Sequence, residues 1–285
     1  MSRQFRAFAW AGVSLVACFA TIILQLGRFA LESPFDSYIG LVPAIAAGLV
    51  WVRWQRGVAS NPNRRLAAVL LAAGIMALGF YLVSGQRNSP EATGRLTPGA
   101  LSFVLLLAGV AAWFLGRSTF RRLAFPLAFL FCMVPLPEPV TAFLQKMLQY
   151  ASATVAGVFF QMSDVPVFRR GELGFQLPGI TLEVVPECSG LQSSLALFVV
   201  SLAAGYVFLR APWKQVVLSL AVIPLGILRN ALRIFTIGEL CGHFGPQMIN
   251  SYVHRQGGWI FFLVSLVPFF LLLLFLARTN PSAAR

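Results

Sequence analysis

Long apolar segments separated by short runs of basic residues make up most of this chain. Hydrophobic residues occupy 58% of its 285 positions and charged residues only 11%. Because a soluble domain carries roughly 25% charged residues, this composition excludes a water-soluble globular enzyme. A membrane-spanning helix needs about 20 predominantly apolar residues. The pattern therefore predicts an all-α polytopic membrane protein with about eight transmembrane helices.

The predicted organisation is a single integral-membrane domain, residues 1–285. We expect its first helix to be uncleaved, because the apolar run is too long for the hydrophobic region of a signal peptide. The eight predicted spans are 7–27, 37–52, 66–85, 99–116, 123–137, 188–209, 214–237 and 258–277. The domain has three predicted parts: 1–137 with five helices, 138–187 with an interfacial helix and a hairpin, and 188–277 with three helices.

The segment 138–163 is predicted to lie at the membrane interface rather than to cross. It carries a stripe of polar residues at helical spacing, which is typical of an interfacial amphipathic helix. Lysine and arginine collect in cytoplasmic loops, and with this segment uncrossed most of the 22 basic residues are cytoplasmic, as are both termini. If the segment crossed, four of these would move outside: Arg210, Lys214, Arg278 and Arg285. The polar stripe consists of Thr141, Gln145, Gln149 and Ser152, beside Lys146.

The net charge of +13 does not indicate nucleic-acid binding. The basic residues lie in short runs between apolar stretches, which is typical of topology signals and of contact with anionic lipid headgroups. The four cysteines show no paired spacing, so neither a disulfide framework nor a metal site is indicated. We expect no cofactor.

A small extracytoplasmic β-hairpin is predicted between 164 and 187. Val165–Phe168 and Thr181–Val185 are short β-favouring runs, and turn-forming residues occur at 170–174 and at Pro178-Gly179. The hairpin would lead directly into Cys188 at the outer end of the sixth span.

Cys188 begins that span and is followed by Ser189 and Gly190. The positive end of a helix dipole favours a thiolate, and two small residues would allow a substrate backbone to approach. A cysteine in a helix is more often a small apolar residue, which is our interpretation of Cys18 and Cys132. Position alone leaves both readings of Cys188 open.

Polar residues also interrupt the seventh apolar segment at Arg229-Asn230-Ala231-Leu232-Arg233. An arginine at bilayer depth costs roughly 2.5–3.5 kcal/mol, and residues four apart share one helix face. Arg229 and Arg233 would thus form a cationic stripe toward the protein or a water-filled cavity. The alternative is that their long side chains extend to the interface.

His254 precedes the last span and is one of only two histidines. Histidine is suited to proton transfer near neutral pH, although a loop histidine is more often inert. His243 is predicted in the same extracytoplasmic loop. In the eight-span topology Cys188, Arg233 and His254 lie at the outer ends of three consecutive helices. A nucleophile, a fixed cation and a general acid/base are the groups needed for acyl transfer through a thioester.

These residues carry a resemblance to a known family. Cys188-Ser189-Gly190, then Asn230-x-x-Arg233, then His254 ahead of Gly258-Trp259 resemble the exosortase/archaeosortase family over about 165–265. The resemblance implies a transpeptidase of the bacterial or archaeal cytoplasmic membrane, with its active site outside. Cys188 would be the nucleophile, Arg233 the transition-state arginine and His254 the acid/base, supported by Asn230, Arg229, Ser189 and Gly190.

The same resemblance implies the partners. The substrates would be exported proteins with a C-terminal signal (PEP-CTERM-like), made of a short proline-containing motif, a transmembrane helix and a basic tail. The acceptor would be an unknown lipid or glycan of the envelope. An alternative alignment would place Arg229 in the catalytic role.

Two other classes of protein fit part of this pattern. A transporter without covalent catalysis would carry intramembrane charges over several helices, whereas the early spans here are almost uncharged. A membrane thiol–disulfide oxidoreductase needs a resolving cysteine, and Cys241 is the only other cysteine predicted on the same side.

Overall fold

The computed structural model describes residues 3–32, 37–53, 63–86, 92–163, 165–177, 180–250 and 257–279. The chain divides into two compact units, Met1–Glu138 and Pro139–Arg285. The predicted arrangement of one domain with three parts stays a prediction.

The first unit is a bundle of helices whose closest pair is held by small residues. A Cβ at Gly74 would lie 2.7 Å from Leu106 Cγ, and one at Gly109 would lie 2.8 Å from Leu71. The Ser102 hydroxyl donates a hydrogen bond to the Gly74 carbonyl at 2.9 Å. Small residues thus allow the helices that carry Gly74 and Gly109 to approach closely, as in many membrane helix pairs. The helices are α1 (Arg3–Cys18), α2 (Ala20–Glu32), α3 (Val42–Arg53), α4 (Arg64–Gln86), α5 (Ala92–Phe114) and α6 (Gly116–Phe129), with 3₁₀ turns at Ser37–Leu41 and Leu130–Met133.

The second unit combines five described helices with a small antiparallel sheet. The helices are α7 (Glu138–Gln161), α8 (Leu191–Phe208), α9 (Pro212–Leu220), α10 (Val222–Phe244) and α11 (Gly258–Arg278). The strands are β1 (Phe168–Arg170), β2 (Gly174–Leu177) and β3 (Ile180–Glu183), in the order β1-β2-β3. Phe175 pairs with Arg169 on one side and with Leu182 on the other.

The sheet corrects the predicted two-stranded hairpin, because a third strand, β2, lies between the two predicted runs. Phe175 and Leu177 of this strand are buried, 1% and 4% exposed. They pack into one apolar cluster with Phe160 of α7 and Ile234 of α10. Burial against these helices stabilises β2 although its sequence contains no β-branched residue.

The cluster also fixes α7 against α10. The Phe160 ring centroid lies 5.1 Å from that of Phe175 and 5.3 Å from that of Phe235. Gly238 lies directly beneath Phe160, and a Cβ there would clash with the ring. The sheet is therefore held firmly beside α10, the helix that carries both candidate arginines.

The multi-pass helical architecture is confirmed, whereas the count of eight spans is not. Among the described residues, five helical segments are long and apolar enough to cross a membrane, or up to seven if each of two bent helix pairs makes one span. The predicted span at 37–52 is a short helix, and the predicted span at 123–137 ends in a 3₁₀ turn. The five are Arg64–Val83, Gly94–Phe114, Leu191–Phe208, Pro212–Phe244 and Gly258–Arg278.

The predicted interfacial segment forms a single helix, α7. Its polar stripe does not face outward along its whole length, because Gln149 and Ser152 are buried. The Gln149 amide donates a hydrogen bond to the Val184 carbonyl at 2.7 Å, just beyond β3. This part of the stripe therefore supports the sheet, and the placement of α7 at the membrane interface stays a prediction.

Candidate active site

Cys188 lies in a short 3₁₀ turn, Pro186–Cys188, and not at the first position of a helix. Its N–H donates to the Val185 carbonyl at 2.8 Å, and the Ser189 N–H donates to the Pro186 carbonyl at 3.0 Å. Helix α8 begins three residues later, at Leu191. The predicted helix start at 188 was therefore wrong, because Gly190 has a left-handed conformation that separates the turn from the helix. The thiol precedes the first turn of α8.

Position 190 must be a glycine because of both its backbone conformation and its neighbouring atoms. Its φ is +74° and its ψ is 12°, in the left-handed region that favours glycine. A Cβ at this position would lie 3.1 Å from Arg229 Nη2 and 3.3 Å from Asn230 Cβ. The turn therefore lies directly against α10.

We expect Gly190→Ala to destabilise the protein by roughly 1–2 kcal/mol, the cost of a left-handed residue with a Cβ. The new methyl would also displace the Arg229 guanidinium from the turn. Thermal unfolding of the purified protein in detergent measures the loss. Gly258→Ala is the matched control, because a Cβ at Gly258 would meet no atom within 4 Å. Equal stability of the two variants would contradict the tight packing of this turn.

Two adjacent residues of α10 hold two carbonyls of the turn. The Asn230 amide donates to the Cys188 carbonyl at 2.8 Å. The Arg229 Nη2 group donates to the Gly190 carbonyl at 2.9 Å and to the Ser194 hydroxyl at 3.1 Å. Arg229 is 5% exposed and Asn230 is 2% exposed. Arg229 therefore points into the protein rather than extending to the surface, and it holds the candidate nucleophile's turn in place.

The Gly190 carbonyl is shared among several donors. Besides Arg229 it accepts hydrogen bonds from the Ser193 hydroxyl at 3.2 Å and the Ser194 hydroxyl at 2.9 Å. The Ser194 backbone N–H also donates to it, at 3.1 Å. These contacts join the turn, the start of α8 and the middle of α10 into one polar cluster.

A cavity of about 40 Å³ brings Cys188 and Arg233 together. Asn230 and Glu183 also line it, with apolar side chains from α10 and from the end of the sheet. A water molecule needs roughly 10–15 Å³, so this space accepts a small group such as a polarised carbonyl. A thiol and a guanidinium on one cavity can perform nucleophilic attack and stabilise the charge that develops on the attacked oxygen.

The structure describes one of the two histidines, His243. His254 lies outside the described residues, so its predicted role stays a prediction. His243 belongs to the last turn of α10 and not to a loop as predicted, because α10 extends to Phe244. Its Nε2 lies 3.4 Å from Oε2 of Glu239, and the other carboxylate oxygen, Oε1, accepts a hydrogen bond from the Ser163 hydroxyl at 2.6 Å. In the described part of the chain, no group of three or more His, Cys, Asp or Glu side chains is arranged to hold a metal ion.

The sequence indicated Cys188 and both arginines, but neither the turn nor how these residues are connected. It named no partner for Arg229, and the structure provides Gly190 and Ser194. Gln149, which holds the end of β3, was assigned only to a polar stripe. The run of Ser193 and Ser194 one turn after Cys188 was the available signal for the first connection. No signal in the sequence pairs Gln149 with Val184.

The fold and this site define a multi-pass helical membrane protein with a cysteine and an arginine on one cavity beside a small sheet. The family model of transmembrane exosortases matches residues 30–271. The chain therefore belongs to the transmembrane exosortase family, and the similarity extends well before the 165–265 region that carries the motifs. No curated protein and no solved structure matches it.

Proposed function

We propose that this protein is a membrane-embedded cysteine transpeptidase. It cleaves the C-terminal sorting signals of exported proteins through a thioester and transfers each protein to an envelope acceptor. The observation that carries the proposal is that Cys188 and Arg233 line one cavity. Membership of the exosortase family supports the same activity.

The chemical roles follow from the side chains. The Cys188 thiolate attacks the scissile carbonyl, and the Arg233 guanidinium stabilises the oxyanion that forms. His254 gives a proton to the leaving amine, and the C-terminal fragment departs. A hydroxyl or amine of the acceptor then attacks the thioester and loses its proton to His254, which restores the thiolate. Asn230 and Arg229 hold the turn that presents Cys188, and Ser189 and Gly190 leave room for the substrate backbone.

The orientation is part of the proposal. In the eight-span topology, the basic residues favour a cytoplasmic location for both termini and a location of the turn at Cys188 on the outer face of the cytoplasmic membrane. A substrate anchored by its own transmembrane helix and basic tail would then present its proline-containing motif at the level of the cavity. The acceptor, a lipid or glycan, would reach the thioester from the same side.

The transporter alternative finds little support in the buried charges. In the part of the chain that the structure describes, the buried charged side chains are Lys214 and Arg229. Lys214 donates to the Leu276 carbonyl and to the Thr279 hydroxyl, both at 3.0 Å, and so holds the end of α11. Among the described residues these two buried charges lie on different helices, α9 and α10, and each binds a backbone carbonyl of a neighbouring segment.

We expect a thioester-linked adduct between the enzyme and its substrate. The probe is an epitope-tagged exported protein of the same organism with a C-terminal proline-containing motif, transmembrane helix and basic tail. A band at the summed mass should appear on non-reducing gels and disappear after neutral hydroxylamine, which cleaves thioesters. Cys188→Ser should give no hydroxylamine-sensitive band. A thioester adduct that persists in Cys188→Ser would place the nucleophile elsewhere.

A further inference from the structure

We infer that the substrate docks along the open edge of β3. An extended peptide adds beside β3 as a fourth strand and is directed along it to Cys188. The inference rests on the proposed function and specifies how the same site binds its substrate. The occupant is the extended segment of the substrate just outside its transmembrane helix.

The register of the sheet leaves backbone groups of β3 pointing away from β2. Leu177 pairs with Ile180, and the Val184 N–H donates to the Leu173 carbonyl at 3.0 Å. In an antiparallel pair the backbone groups of successive residues point alternately toward and away from the partner strand. The N–H and C=O groups of Thr181 and Glu183 therefore face the outer edge. Within the described residues β3 pairs with β2 alone.

An edge of this kind is a template for another strand. Unpaired backbone groups on an exposed strand bind extended peptides by main-chain hydrogen bonds. The side chains of Thr181 and Glu183 are both exposed, which leaves access to this edge. A substrate segment close to the membrane gains from such pairing, because unsatisfied backbone groups become costly as water is withdrawn.

The chain after β3 leads into the active site. Val185 is extended, with φ −75° and ψ 160°, and the turn that contains Cys188 follows directly. Leu182 and Val184 line the same cavity as Cys188 and Arg233. Leu182 directly follows Thr181 in the chain, so a peptide paired alongside β3 lies next to a residue of the cavity wall. The continuity of strand and cavity selects this edge over the β1 edge.

The two faces of the sheet would read alternate side chains of the peptide. One face carries Leu182 and Val184 and borders the cavity of about 40 Å³, which Glu183 also lines. The other borders a polar groove of about 460 Å³. The groove is lined by Tyr150, Arg170, Glu172, Thr181 and Glu183, among others. The partner that fits is an extended peptide in which small apolar residues alternate with polar or charged ones.

Site-specific photocross-linking tests the location of the peptide. A photoreactive amino acid is placed at Thr181, or at Phe168 as the matched control, since Phe168 lies on the opposite edge strand and is 72% exposed. Both are made in full-length Cys188→Ala enzyme, which keeps the tagged substrate uncleaved. We expect at least a tenfold stronger cross-link to the substrate from 181 than from 168. Equal cross-links, no cross-link from 181, or a cross-link to a second copy of this chain would overturn the inference.

A proline substitution tests the hydrogen bonds themselves. Thr181→Pro removes an outward N–H without breaking a bond to β2, a position at which edge strands accept proline. We expect the processing rate of Thr181→Pro to fall at least tenfold below that of Thr181→Ala, which keeps the outward N–H. Labelling of Cys188 by a small maleimide should be unchanged in both, which reports an intact turn. Wild-type processing by Thr181→Pro would overturn the docking mode, whereas processing by Cys188→Ala would instead overturn the proposed function.

Discussion

Replacing Cys188 with alanine should abolish processing of the tagged substrate while the enzyme stays at normal abundance. Alanine has no group that can form a thioester, so the rate of processing should fall by more than 10³-fold, as for other catalytic nucleophiles. The side chain is only partly buried, and loss of one sulfur atom costs little packing. Immunoblots of the substrate, normalised to enzyme level, should show the full-length form alone.

Cys241→Ala is the matched control for this experiment. Cys241 is a second cysteine in the same unit, on α10, and is 1% exposed. We expect this variant to process the substrate, with at most a moderate loss of stability. In a variant that retains only Cys188, labelling of intact cells by a membrane-impermeant maleimide checks the orientation. Processing by Cys188→Ala would exclude the thioester mechanism, and a thiol labelled only in opened cells would exclude an outward-facing site.

Arg233→Lys should lose at least about 10²-fold in processing rate, whereas Arg229→Lys should be clearly milder. Lysine keeps the charge but loses the planar donor fork, and removal of one oxyanion donor typically costs roughly 10²–10³-fold. Arg233 lines the cavity with Cys188. Arg229 instead binds the Gly190 carbonyl and the Ser194 hydroxyl, so it acts on the turn rather than on the substrate. Processing rates per unit of enzyme separate the two.

The alanine variants of the same two arginines extend this comparison, because they remove the charge as well as the donor fork. Arg229→Ala removes one of the two buried donors that α10 provides to the turn, while Asn230 still binds the Cys188 carbonyl, so we expect lower abundance and a lower unfolding temperature in detergent. Arg233→Ala should lose activity at nearly normal abundance, because this side chain is only partly buried. If Arg229→Lys is inactive while Arg233→Lys remains active, the roles are reversed and the alignment of Asn230-x-x-Arg233 with the family motif is wrong.

The sequence predicted the bounds of the spanning helices most accurately where hydropathy alone determines them. The segments at 66–85 and 258–277 coincide closely with α4 and α11, because a long apolar run can do little else in a bilayer. Local signals did not reveal breaks within apolar segments, such as the one at Ala221 between α9 and α10. They also missed β2, whose stability comes from burial of Phe175 and Leu177 against helices distant in sequence.

The candidate site could be predicted as a set of residue types but not as an arrangement. The sequence indicated Cys188, Asn230 and Arg233 as candidates. A polar group within an apolar membrane segment is energetically costly and therefore points to a function or a specific partner. The conformation of Gly190 was not recognisable, since a glycine after a cysteine and a serine fits a helix as well as a turn. The difference matters, because it places the thiol before the first turn of α8 rather than within it.

The Gly190 carbonyl accepts several hydrogen bonds at once, which affects how the site tolerates substitutions. It accepts hydrogen bonds from Arg229, from both hydroxyls of Ser193 and Ser194, and from a backbone N–H. Loss of one hydroxyl leaves the others in place, so each serine can vary alone at little cost, while loss of both removes their shared support. Neutral drift at one serine therefore raises the cost of losing the other. A scan of single substitutions would find both positions permissive, and only their epistasis would reveal that they hold the turn.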